Sequence, residues 1–164
     1  MQSIKATPRY ALDEIERRWL VNATAVGDLA NHPFRLYEDL YISDSRLRLR
    51  RITEPDGNVI YKLGKKYGKR TRLSEPITTL YLDKREYDRL RSLEGSISVK
   101  RRYALSGGSL DIYQLPNLGL MIFELEFASE AAAAAYQPPA FVGREVTDQL
   151  EHTGYRLSMH PEEA

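Results

Sequence analysis

Hydrophobic and polar residues alternate along most of this chain, with the two-residue period that is typical of β-strands. Eight segments follow this pattern, and turn signals containing glycine or asparagine separate several of them. The segments are YALDEIERRWLV, FRLYEDLYIS, SRLRLRRIT, NVIYKLGKKYG, TRLSEPITTLYL, SISVKRRYAL, SLDIYQL and GLMIFELEFA. Because most of these strands are neighbours in sequence, the pattern predicts an antiparallel sheet that curls or closes, with helices outside it.

Three further segments predict helices. Asp83 is a suitable N-cap for the segment DKREYDRLRSL, and Ser129 is a suitable N-cap for the alanine run that follows it. A third, short helix is expected from residue 144 to about residue 152. The fold class is therefore α+β, with β-structure dominant.

The length and composition indicate a single globular domain. The chain has 164 residues, of which 42% are hydrophobic and 29% charged, a balance that is typical of folded rather than disordered proteins. We expect one domain over residues 1–164, with its core at about residues 10–155 and a frayed tail over residues 156–164.

The charge and cysteine counts exclude several classes of function. The net charge is only +1, so no overall field selects nucleic acid or an anionic membrane as a partner. The chain contains no cysteine, which excludes disulfide and thiolate chemistry. Its N-terminus lacks an apolar run long enough for a signal peptide or a membrane span, so we expect a cytoplasmic location. Whether the chain is a monomer or a homodimer stays open.

Charged residues, mostly in pairs of the same sign, occupy alternate positions on one face of several predicted strands. The residues concerned are Glu14, Glu16, Arg18, Arg46, Arg48, Arg50, Lys100, Arg102, Asp111, Glu124 and Glu126. For any one strand the common interpretation is a sheet with its apolar side on a core and its charges in solvent. Several strands that are purely acidic or purely basic favour an alternative, a closed barrel with a charged interior and an apolar exterior under helices.

A charged interior would need a ligand, because unpaired buried charges are costly. Rows of arginine and lysine suit the oxygens of a polyphosphate. Pairs of the form Glu-x-Glu suit a hard divalent cation such as Mg²⁺ or Mn²⁺, which binds carboxylate and phosphate oxygens together. The pattern is thus typical of a site for a metal-bridged polyphosphate.

Seven segments resemble, in the same order, the motifs of CYTH-domain proteins, the triphosphate tunnel metalloenzymes. They are EIERRWLV, SRLRLR, YKLGKK, VKRRY, LDIY, GLMIFELEF and PPAFVGREVT, and the first resembles the family's Glu-x-Glu-x-Lys signature. The resemblance implies a closed eight-stranded antiparallel β-barrel with peripheral helices. It also implies hydrolysis of a linear triphosphate that depends on Mg²⁺ or Mn²⁺, with inorganic triphosphate favoured over thiamine or nucleoside triphosphates.

The resemblance also implies the roles of individual residues. Metal binding is expected of Glu14, Glu16, Asp111, Glu124 and Glu126. Triphosphate binding is expected of Arg18, Arg48, Arg50, Lys62, Lys100 and Arg102. Catalytic roles are expected of Glu14, Glu16, Arg18 and Lys100. The assignment of Lys62 to triphosphate binding depends on strand alternation alone. Lys62 and Lys66 share one face of the strand, and Lys65 lies on the other.

Three departures from the family pattern leave alternatives open. Arg18 stands where the signature has lysine, and the segment at residues 151–155 reads EHTGY. The family's Glu-rich mid-chain strand is matched only by RLSEPITTLYL, whose single acid, Glu75, is either a strand residue or a turn residue before Pro76. An arginine cannot give up its proton, so turnover that depends on a neutral lysine would be impaired. The chain could accordingly be a binder of triphosphate or polyphosphate without activity. A class IV-type adenylate cyclase is disfavoured, because HPFRLYED does not match that branch's motif.

Overall fold

The computed structural model describes residues 6–159, which form one nine-stranded antiparallel sheet and a few short helices. The strands are β1 (Leu12–Val21), β2 (Arg35–Ile42), β3 (Leu47–Thr53), β4 (Val59–Lys66), β5 (Ser74–Leu82), β6 (Gly95–Leu105), β7 (Gly108–Leu115), β8 (Met121–Glu126) and β9 (Val142–Glu145). The helices are α1 (Ala23–Val26), α2 (Lys84–Leu90), α3 (Glu130–Ala135) and α4 (Gly154–Met159), with a 3₁₀ turn at Leu150–His152. None of the helices in the described part of the chain has the length and apolar character that crossing a membrane requires.

Eight of the strands close into a barrel. Their order is β5-β4-β3-β2-β6-β7-β8-β1, and β1 pairs with β5 to complete the ring. Only the first half of β1 pairs with β5, with Leu12 opposite Ile77. The second half of β1 pairs with β9, which is an addition to the ring rather than a member of it. The predicted closed eight-stranded barrel is confirmed.

One part of the apolar core lies outside the barrel wall, on the face opposite the charged rows. Trp19, Phe123 and Leu110 occupy neighbouring positions on β1, β8 and β7 and are almost completely buried. The Trp19 ring contacts Phe123 and also Tyr136, which ends α3. Because side chains alternate along each strand, packing this apolar face against the peripheral segments turns the charged face of the same strands towards the lumen.

The first two helix predictions are confirmed, together with their caps. The Asp83 side chain accepts a hydrogen bond from the backbone of Glu86, whose own side chain accepts one from the Asp83 backbone, and the two form a capping box at the start of α2. Ser129 caps α3 through the backbone of Ala132.

The third predicted helix, over residues 144–152, is wrong. Residues 142–145 instead form β9, and only the 3₁₀ turn at Leu150–His152 is helical. The backbone of β1 offers an unpaired edge where β5 no longer covers it, and strand pairing there outweighs a weak helical preference. Arg17 fastens β9 from the outer face, because its guanidinium donates to both oxygens of Glu145 at 2.9 and 2.7 Å.

Helix α4 closes one end of the barrel. Leu157 is fully buried and packs with Tyr113 and Ile122, with Leu20 partly buried against them. The Ser158 and Ser96 hydroxyls lie 2.6 Å apart, which fastens α4 to β6. Residues 156–159, which the sequence assigned to the tail, lie in α4, where Leu157 anchors them. Residues 160–164 lie outside the described part of the chain.

Candidate active site

Five carboxylates line one side of the lumen. Glu14 of β1 lies opposite Glu75 of β5, and Glu16 lies opposite Glu126 of β8. Glu124 occupies the next inward position of β8, opposite Arg18. Residues that lie directly opposite in an antiparallel pair point to the same face of the sheet, so all five share the lumen. We call this set the acidic group: Glu14, Glu16, Glu75, Glu124 and Glu126.

Basic side chains occupy the other lumen-facing strands. Arg50 of β3 lies opposite Lys62 of β4, and Arg48 lies opposite Gly64 on the same face. Lys100 and Arg102 occupy inward positions of β6, opposite Tyr37 and Arg35 of β2. We call this set the basic group: Arg48, Arg50, Lys62, Lys66, Lys100 and Arg102. Every residue for which the sequence predicted a site role therefore belongs to the lumen face.

The two groups meet through direct ion pairs. Lys66 Nζ lies 2.7 Å from a Glu14 oxygen and 3.8 Å from a Glu75 oxygen. Arg102 donates to Glu124 from the neighbouring wall. The sequence left open which of Lys62, Lys65 and Lys66 faces the lumen and favoured Lys62, whereas Lys66 is the β4 lysine that reaches the carboxylates. Lys62 instead lies over the ring of Tyr81, with its ammonium 4.9 Å from the ring centre.

Two buried aspartates hold half of the basic group in place, namely Arg50, Lys100 and Arg102. Asp39 forms a two-pronged pair with Arg50, in which both N···O distances are 2.6 Å. Asp111 is fully buried and forms a similar pair with Arg102 at 2.7 Å, while also accepting from Lys100. Asp111, which the resemblance implied as a metal ligand, therefore faces two cations.

Sequence reasoning missed Asp39. The available signal was the alternation in YEDLY, which places Asp39 on one face with Tyr37 and Tyr41. That strand carries no second inward acid, so it lacks the paired pattern that identified the glutamates.

Tyr37 gathers three cations around one ring. The guanidinium carbons of Arg50 and Arg102 both lie 4.6 Å from the centre of the Tyr37 ring, and Lys100 Nζ lies 5.9 Å away. The negative face of an aromatic ring attracts cations, particularly where water is excluded. Tyr37 therefore helps to keep three like charges close together.

Burial and like charges raise the pKa values of two members of the acidic group, whereas nearby cations lower that of a third. Burial raises the pKa of Glu16, and the charges of Glu124 and Glu14 add to the effect against the opposing charge of Lys66. Burial also raises the pKa of Glu126, again with Glu14 and Glu124 contributing. The pKa of Glu124 is lowered, because Arg102, Lys100 and Arg18 outweigh its burial.

The donor set of the acidic group suits a hard divalent cation. All of its donors are carboxylate oxygens, and the charges of Glu14 and Glu124 add to burial in raising the pKa values of Glu16 and Glu126. A cation between these carboxylates would counteract the effect of their like charges. Within residues 6–159, no three acidic or histidine side chains converge on one point in this conformation. Glu14 is turned to Lys66 and Glu124 to Arg102.

Arg18 is fixed at the closed end of the lumen. One of its terminal nitrogens donates to the backbone carbonyl of His152, next to α4. Its backbone N–H donates to the Thr147 hydroxyl at 3.0 Å, and its Nε lies 3.6 Å from a Glu124 oxygen. The sequence placed Arg18 on the inward face, but its contacts with residues more than 120 positions away came only from the fold.

Comparisons with known proteins agree with this geometry. No protein-family model matches the chain. An inorganic triphosphatase of Nitrosomonas europaea is 32% identical over 155 residues, which cover 90% of this chain and 98% of that protein. A crystal structure of an inorganic triphosphatase superposes with a TM-score of 0.53 at 27% identity, covering 90% of this chain and 96% of that one.

A third comparison bears on the fold alone. The crystal structure of a putative adenylate cyclase from Bacillus halodurans has a TM-score of 0.51 at 17% identity, and the match covers 76% of this chain and 86% of that one. The same barrel with opposed acidic and basic groups, together with a relative that matches along almost its whole length, leads to one conclusion. The chain belongs to the CYTH family of triphosphate tunnel metalloenzymes.

Proposed function

We propose that this protein hydrolyses a linear triphosphate inside the barrel, with inorganic triphosphate as the preferred substrate and Mg²⁺ or Mn²⁺ as the required metal. The observation that carries the proposal is the presence of the acidic and basic groups on facing walls of one lumen. The related inorganic triphosphatase of Nitrosomonas europaea supports the choice of substrate.

The basic group binds the phosphate chain. A triphosphate offers only acceptor oxygens, and Arg50, Lys66 and Arg102 are donors that carboxylates occupy in this structure. Bound phosphates compete for these donors with Glu14 and Glu124, whereas Asp39 and Asp111 keep Arg50, Lys100 and Arg102 in position. Charge-assisted contacts of this kind are short and directional, so they orient the chain as well as bind it.

The acidic group holds the metal. Glu14, Glu16, Glu124 and Glu126 would ligate it, and the carboxylates released from Lys66 and Arg102 by the phosphates become available for this task. When bound, the metal neutralises phosphate charge and lowers the pKa of an attacking water. Arg18 and Lys100 contribute positive charge where negative charge develops on the phosphoryl oxygens. Because a guanidinium stays protonated, Arg18 binds phosphate and does not transfer protons.

The first test is phosphate release by the purified protein. We expect release from inorganic triphosphate with Mg²⁺ or Mn²⁺ and none after EDTA, because the phosphoryl charge is then not neutralised. Thiamine triphosphate, ATP and long-chain polyphosphate assayed in parallel rank the substrates. If none of these compounds is hydrolysed with either metal, the activity is refuted, and calorimetry with triphosphate then shows whether the protein only binds it.

A further inference from the structure

The hydroxyl of Tyr113 is buried without a hydrogen-bond partner in the part of the chain that the structure describes. Tyr113 is only 1% exposed, so its hydroxyl does not face the outer protein surface. Buried polar groups in folded proteins nearly always have a partner, and an exception needs an explanation. The position of this hydroxyl in the barrel accounts for its missing partner.

Tyr113 lies at the closed end of the lumen. It shares the inward face of β7 with Asp111, and its ring packs with Ile122 and Leu157. The ammonium of Lys100, a member of the basic group, lies 5.4 Å from the centre of the Tyr113 ring. The hydroxyl therefore belongs to the boundary between the charged lumen and the apolar floor beneath α4.

A second buried donor without a partner lies in the same region. Arg18 Nε makes no hydrogen bond to any described residue, and its salt-bridge partner, Glu124, is 3.6 Å away. The contact with the His152 carbonyl fixes the other side of this guanidinium, so Nε cannot turn away to find a partner. Arg18 and Tyr113 interact electrostatically, and Leu20, the next inward residue after Arg18, packs against the cluster that contains Tyr113.

We propose that the Tyr113 hydroxyl and Arg18 Nε–H bind oxygens of the terminal phosphoryl group of the triphosphate, at the closed end of the lumen. This inference rests on the proposed function and extends it. A phosphoryl group supplies only acceptors and therefore complements two donors that lack acceptors. The floor of Leu20, Ile122 and Leu157 is apolar and offers no polar partner to a further phosphate or ester group, so the phosphate chain ends there with an unesterified phosphoryl group.

The test is the Tyr113→Phe substitution, which removes only the hydroxyl. We expect calorimetry in EDTA to show about tenfold weaker binding of inorganic triphosphate, the usual result of losing one hydrogen bond to a charged group. We expect the ligand-free variant to melt about 2–4 °C higher than the parent, because it no longer buries an unpaired hydroxyl. Tyr103→Phe is the matched control. Tyr103 is buried on the outer face against Phe34, so this variant should bind triphosphate like the parent.

The outcomes separate this inference from the proposed function. If the parent neither binds nor hydrolyses triphosphate, the proposed function itself fails. If the parent binds it and Tyr113→Phe binds it within twofold of the parent, or melts below the parent, the inference is overturned. Diadenosine triphosphate, which is esterified at both ends, should bind the parent at least 100-fold more weakly than inorganic triphosphate. Equal affinity for the two would overturn the assignment of a chain end to the closed end.

Discussion

We expect the replacement of Glu124 by glutamine to lower kcat for inorganic triphosphate by more than about 100-fold, because the amide cannot supply a charged oxygen to a divalent cation. The substitution should not weaken the binding of triphosphate in the absence of metal. Glu124 competes with phosphate for Arg102 and contributes charge beside Arg18, so its neutralisation leaves the affinity for triphosphate in EDTA unchanged or higher. Phosphate-release assays and calorimetry on the same preparation measure both effects.

The control for this variant is Glu38→Gln. Glu38 pairs with Arg51 at 3.5 Å on the outer face, so the same chemical change leaves turnover within about twofold of the parent. A Glu124→Gln enzyme that turns over at more than a third of the parent's rate would contradict the assignment of this carboxylate to the metal. Loss of both turnover and triphosphate binding would instead indicate that Glu124 serves only to hold the lumen together.

We expect the Asp39→Asn substitution to destabilise the protein by about 3–5 kcal/mol, because it would leave the charge of Arg50 buried without its partner. The pair is almost fully enclosed, with side-chain exposures of 2% for Asp39 and 11% for Arg50. Urea unfolding at pH 7 measures the difference. Glu54→Gln is the control: its partner Arg35 is 54% exposed, and breaking this pair costs less than about 1 kcal/mol. If the two substitutions lowered the free energy of unfolding by similar amounts, burial of the Asp39–Arg50 pair would not make it more important for stability than an exposed pair.

The same aspartate predicts a pH dependence of stability. The charge of Arg50 and its hydrogen bonds outweigh burial and lower the pKa of Asp39 from 3.8 to about 2. A carboxylate with a lowered pKa stabilises the fold fully above its unfolded pKa, and this contribution disappears as the pH falls through the folded value. The parent should therefore lose about 2 kcal/mol through Asp39 between pH 4 and pH 2, and Asp39→Asn should lack this component of the loss. Unfolding at several pH values in this range provides the measurement.

The sequence by itself determined which residues share a face. Alternation with a period of two assigned Glu14, Glu16, Arg50 and Lys100 to one side of their strands, because neighbouring side chains on a strand must point in opposite directions. Capping chemistry located α2 and α3, because the side chains of Asp83 and Ser129 bond to backbone groups only three residues away. These are local interactions, and the local sequence is sufficient to predict them.

Closure of the barrel decided the rest. Alternation does not show which face of a sheet becomes the interior of a barrel. In the sequence, only the resemblance to a known family assigned the charged face to the interior. The pairing of Lys66 with Glu14 joins residues 52 positions apart, and the contact between Arg18 and His152 joins residues 134 positions apart. Strand β9 pairs with the edge of β1 beyond the residues that pair with β5. Helix α4 is held in place because Leu157 packs against the apolar side chains of Tyr113 and Ile122. Such partners are brought together by strand order and register, and these are properties of the whole chain rather than of any segment of it.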